Sequence, residues 1–174
     1  VPITIGPLNN VPAPGDPITS PWAQAVSKLA YHPMALATRP ITQNHATGAW
    51  VPPSWSAELR DTANLHDIGT NPMRFTIPAG YAGLWLCTQT VDFSANGTGR
   101  RGLRFTVNGA AAVSYGVILM AVSTGGGTHT MSTVALVPAV AGDYIEGGAF
   151  QDSGATLTIG GPNTMMGVAL LGAD

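Results

Sequence analysis

The stretch from Arg60 to Gly109 limits what this chain can fold into more than any other part of it. Pro78 and Gly80 mark a turn, and the long apolar-rich run Leu84-Trp85-Leu86-Cys87 follows. A polar, Gly-containing loop comes next. Then Leu103, Phe105 and Val107 alternate with Arg104 and Thr106 and end in Asn108-Gly109. A period of two closed by turn residues is the pattern of half-buried antiparallel strands. Asn-Gly between two such runs predicts a type I′ hairpin, because both central residues of that turn need positive φ.

The pattern continues to the end of the chain. Candidate strands lie at about 73–77, 82–93, 101–107, 111–120, 128–137, 143–151, 155–160 and 164–172. In the fourth, Val113, Tyr115 and Val117 alternate with Ser114 and Gly116. Gly125-Gly126-Gly127 and Gly160-Gly161-Pro162 punctuate the loops. Many short strands joined by tight turns predict an all-β, antiparallel two-sheet jelly-roll sandwich.

The first third reads differently. Residues 1–21 hold six prolines, each fixing φ and removing a donor, so an extended Pro-rich arm is expected. Val1, Ile3, Ile5, Leu8 and Val11 make that arm too apolar for a solvated linker, and they are the expected assembly anchor together with Trp22. A short helix is predicted over Pro21 to Tyr31. Ser20 caps it, Pro21 takes its first position, and Trp22, Ala25, Val26 and Leu29 form one stripe. The expected organisation is 1–32 as anchoring arm plus helix, 33–57 as a Pro/Trp-rich connection, and 58–174 as the jelly roll. The chain begins at Val1 without a leader pattern, so no secretory signal is expected, and the missing Met suggests processing.

Composition then narrows the function. Only 9% of the 174 residues are charged, against about 25% in typical soluble domains. A surface that neutral is expected to be covered by copies of itself or by neighbours in an assembly. The net charge is −2 with scattered basic residues, which leaves no electrostatic footprint for nucleic acid. No apolar run approaches the ~20 residues of a membrane-spanning helix. Cys87 is the single cysteine and sits in an apolar run, so it reads as a buried, unreactive thiol.

No motif implies catalysis or a cofactor. Gly97-Thr98-Gly99-Arg100-Arg101-Gly102 spells a dinucleotide fingerprint, yet a strand follows where a phosphate-binding helix would have to begin. Glu58, Asp61, His66 and Asp67 form the densest polar cluster. Asp61 and Asp67 could offer oxygens to a calcium ion, while side-chain to backbone hydrogen bonds that order a loop are the plainer reading. His32, His45 and His129 lack ligand spacing, no Ser sits in a nucleophile elbow, and Asp143, Glu146 and Asp152 read as turn and surface groups.

Four segments in order resemble the C1q/TNF-like jelly roll, in the variant found in bacteriophage virion proteins. They are D-T-A-N-L-H-D (Asp61 to Asp67), F-T-I-P-A-G-Y-A-G-L-W-L (Phe75 to Leu86), N-G-T-G-R-R-G-L-R-F-T-V-N-G (Asn96 to Gly109) and V-A-L-V-P-A-V-A-G-D-Y-I (Val134 to Ile145). The chain closes with M-M-G-V-A-L-L-G-A-D, where members usually carry Phe at the place of Met166. The resemblance covers about two thirds of the chain. It implies a non-enzymatic homotrimer with apolar residues about the threefold axis, and places Trp85, Phe93, Phe105, Tyr115 and Phe150 in core or trimer packing. The expectation that follows is a virion structural protein on the phage particle surface: a spike, fibre tip or capsid decoration module bound through its arm to other capsid or tail proteins. The alternative expectation is a module or adhesin that recognises host-surface glycan or protein through loops around Asn96 and Gly125.

Overall fold

In a computed structural model the described residues are 32–122 and 127–173. The expected arm, its helix, and the anchor residues Val1, Ile3, Ile5, Leu8, Val11 and Trp22 lie outside them. The described chain forms twelve strands: β1 (Met34–Thr38), β2 (Gln43–His45), β3 (Trp50–Val51), β4 (Ala57–Asp61), β5 (Arg74–Thr76), β6 (Gly83–Phe93), β7 (Arg100–Val107), β8 (Ser114–Ala121), β9 (His129–Ala139), β10 (Tyr144–Gln151), β11 (Leu157–Ile159) and β12 (Met165–Ala173). All pairings are antiparallel. The first sheet runs β2-β11-β6-β12-β1-β4 with β9 also paired to β6, and the second runs β3-β10-β7-β8 with β5 also paired to β10.

The expected sandwich is present, and the eight expected strands correspond to β5 through β12. The stretch 33–57, read as a connection, instead supplies β1, β2, β3 and the start of β4 to the two sheets. These strands are short and stand between prolines. β1 lies inside the first sheet between β12 and β4 and alternates with Ala35 and Ala37 inward, whereas β2, β3 and β4 are edge strands held by a single partner.

Alternation along β6 builds the core. Trp85, Cys87, Val91 and Phe93 are fully buried, as are Phe75, Phe105, Ile145 and Ile159 from the strands that face or flank it. Two apolar clusters result. One centres on Trp55, Trp85, Phe105 and Met166, the other on Val91, Phe93, Leu103 and Ile159. Burying a side chain of this size is worth about 1.5–3 kcal/mol, so the pair of clusters is the main drive to fold. Gln89 crosses the interior, its Nε2 donating to the Gly147 carbonyl at 3.1 Å.

Two local expectations need adjusting. Asn108 and Gly109 do have positive φ (55° and 66°), and the Ala110 amide closes the turn on the Val107 carbonyl at 3.0 Å. The next strand nevertheless starts only at Ser114, after a second turn, so the type I′ turn does not join the strands directly. The alternation of Val113, Tyr115 and Val117 also breaks. Gly116 takes φ +56°, and the β7–β8 register shifts between Leu103 and Phe105. Such a bulge moves later side chains to the other face. Tyr115 packs on one core cluster, Ile118 on the other, and Val117 is exposed.

Candidate functional site

The outer face of the first sheet is the largest feature that the interior does not explain. On β6 the positions between the buried ones are Leu84, Leu86, Thr88 and Thr90. Their register partners on β9 are Pro138, Leu136, Val134 and Ser132. On β12 they are Gly172, Ala169, Gly167 and Met165, and β1 adds Met34, Leu36 and Thr38 beyond those. No charged residue stands on this face of the four strands except Asp92, which is buried at one end and accepts a hydrogen bond from Thr130. Val134 is 60% and Leu136 50% exposed, in strands that elsewhere hide their apolar groups. A contiguous exposed apolar face of this kind marks an interaction surface.

The second sheet presents an aromatic and charged face. Trp50 stacks on Phe150 with centroids 5.1 Å apart, and the Arg104 guanidinium lies 4.5 Å from the Trp50 ring centroid. The indole reaches across β10 because Gly148 and Gly102 lack side chains; a Cβ on Gly102 would stand 2.9 Å from Trp50 Cη2. Burial pulls the Arg104 guanidinium below its ordinary pKa. Farther along the same face, the Arg74 guanidinium lies over Tyr144.

The polar cluster after β4 is a loop-ordering device. Asp61 accepts from the amides of Ala63 at 3.0 Å and His66 at 2.8 Å. Asp67 accepts from the amides of Gly69 and Thr70 at 2.8 and 3.0 Å, and bonds to Thr70 and Gly69 hold its carboxyl below the usual range. His66 Nδ1 meets Glu58 at 2.8 Å, Nε2 meets the Pro72 carbonyl at 3.2 Å, and the ring stacks on Phe75. An open groove of about 500 Å³ lies beside them, lined by Glu58, Asn64, His66, Asp67, Ile68 and Gly69. Among the described residues no three His, Cys, Asp or Glu side chains are grouped to hold a metal ion.

The glycine-rich loop folds onto itself. Arg101 is buried, and its guanidinium donates to the carbonyls of Asn96, Thr98 and Arg100 at 2.9–3.0 Å. Arg100 pairs with Asp152 on the outside at 2.7 Å. The cationic groups therefore serve the loop's own carbonyls and a neighbouring carboxylate, and β7 follows directly, as the sequence implied. No helix among the described residues is long and apolar enough to cross a membrane.

The expected packing residues separate into two groups. Trp85, Phe93 and Phe105 are wholly interior, so they fill the sandwich. Tyr115 is half-buried against one core cluster, and Phe150 is half-buried beside Trp50 on the opposite sheet's outer face. The residues that line the apolar outer face, Leu84, Leu86, Val134 and Leu136, lay unmarked within the expected strands at 82–93 and 128–137. Their signal was the absence of charged residues at the exposed alternate positions.

No protein-family model matches the chain, and no curated protein matches it. Solved structures do match its fold. The globular domain of the zebrafish complement 1qA protein superposes with a TM-score of 0.58 at 16% identity, over 82% of this chain and 99% of that one. Murine APRIL at pH 5.0 gives 0.60 at 11% identity, over 81% of this chain and 100% of that one. The Eiger TNF of S. frugiperda gives 0.58 at 12% identity, over 82% and 94%. Likeness at these identities is a likeness of fold, and with the strand order above it makes this chain a C1q/TNF-like jelly-roll sandwich.

Proposed function

We propose that the protein is a non-enzymatic, homotrimeric structural module of a phage particle, displayed on the particle surface and attached through residues 1–32. The observation that carries the trimer is the exposed apolar patch on the outer face of the first sheet, from Leu84 and Leu86 to Val134 and Leu136. Three copies packed about one axis would remove that face from water while leaving the charged face of the second sheet exposed. The same arrangement accounts for a chain with only 9% charged residues. The virion placement is supported by the resemblance of the four sequence segments and by the apolar, proline-rich arm.

Deleting residues 1–32 tests the attachment. The shortened chain should stay folded and threefold in mass yet fail to co-sediment with particles that retain the full chain. Normal incorporation of the shortened chain would overturn the anchoring role.

A further inference from the structure

Arg74 and Glu146 stand in register on the adjacent antiparallel strands β5 and β10. Side chains so opposed have Cβ atoms about 4.5–5.5 Å apart, close enough for an Arg and a Glu to pair. These two do not. The ion pairs among the described residues are His66–Glu58 and Arg100–Asp152. Arg74 lies instead on Tyr144, its guanidinium carbon 4.4 Å from the ring centroid, and its Nε is buried without a partner. Glu146 Oε2 stands 3.7 Å from where a Cβ on Gly109 would be. Both residues line a cavity of about 250 Å³ whose remaining wall is Thr70, Asn71, Pro72 and Met73.

We propose that this cavity binds the carboxylate-bearing ring of an acidic sugar. Its volume is below the roughly 300–1,000 Å³ of sites for drug-sized ligands, and it suits a single ring. A guanidinium recognises a carboxylate through two parallel hydrogen bonds, and the stacking on Tyr144 fixes its plane before any ligand arrives. Glu146 and the Asn71 amide supply acceptors and donors for ring hydroxyls. Burial raises the Glu146 carboxyl above its ordinary pKa, with Arg74 pulling the other way. Pro72 and Met73 offer an apolar wall to the ring's C–H groups. A neutral sugar leaves the guanidinium without its carboxylate. An acidic peptide side chain satisfies Arg74 but sets its aliphatic stem against Glu146 and Asn71. The site requires no partner subunit and stands apart from the trimer proposal.

The test is a titration of the full chain with glucuronic acid, glucose and glutamate, read by amide NMR shifts. Glucuronic acid should saturably shift residues 70–74 and 144–146, with glucose and glutamate weaker by about tenfold or more. Arg74→Gln should lose about the same factor. Glu146→Gln and Asn71→Ala keep the arginine and should each weaken glucuronic acid severalfold, which carries the test should the arginine variant not fold. Equal binding of glucose or glutamate, shifts confined to other residues, no saturable shift, or unchanged affinity in the folded variants would each overturn the proposal.

Discussion

Leu86 of β6 and Leu136 of β9 stand directly opposite one another on the outer face of the first sheet, and neither belongs to the interior clusters. Each interrupts what would be an apolar-in, polar-out alternation. This pair carries the case for self-association, because nothing inside one protomer uses it.

Replacing Leu136 by Asp therefore separates folding from assembly. The side chain is half exposed, so the change should cost the fold itself only about 1–2 kcal/mol, from half a leucine's burial and the low strand preference of Asp. A charge at the centre of an apolar contact should reduce the mass in solution to the 17.8 kDa of one chain while the β-sheet circular dichroism persists. A variant that keeps the wild-type mass would move the contact to another face.

Gly147 tests the packing between the sheets. A Cβ there would stand 2.8 Å from Gln89 Cδ and Oε1 and from Met166 Sδ, all in the interior. Gly147→Ala should cost about 1–3 kcal/mol by overpacking, read as a lower urea midpoint. No change in the midpoint would reveal slack that a close-packed interior should lack.

His45 sets a pH dependence. Its burial lowers the pKa from the ordinary 6.5, with the Ala149 backbone acting weakly in the opposite sense. A His with a depressed folded pKa favours the fold when neutral. Its contribution is complete above about 6.5 and is lost as pH falls through the folded value. The thermal midpoint should decline on moving from about pH 7 to about pH 5, and His45→Gln should flatten that decline. Asp67 and Asp152, whose pKa values are lowered from 3.8, act only at more acidic pH. A decline of equal slope in the variant would assign the effect elsewhere.

Cys87 should behave as a reporter of unfolding. It is fully buried, and burial pushes its thiol up to about 12. Only the thiolate reacts readily, so thiol reagents should leave the native protein unlabelled and modify it at the rate of global opening. Rapid labelling in native buffer would show that β6 opens locally.

The sequence carried the sandwich well because β6, β7, β9 and β10 are long and patterned by burial, and Trp85, Phe93 and Phe105 fall where alternation puts them. It carried the early strands poorly. β2 and β3 are three and two residues long, flanked by turns, and specified by pairing with β11 and β10. The bulge at Gly116 was invisible for a related reason: one positive-φ glycine reverses the faces of β8 without altering its composition. Trp50 read only as an anchor, because its seat depends on Gly102 and Gly148 from two other strands. The Arg74–Glu146 opening depends on register between distant segments, which no local motif records.

Copies of this chain should cover the apolar patch of Leu84, Leu86, Val134 and Leu136 on the first sheet. Light scattering on the purified full chain tests it most directly. The mass should be three times the 17.8 kDa of one chain, independent of concentration over a broad range. A single-chain mass under the same conditions would contradict it.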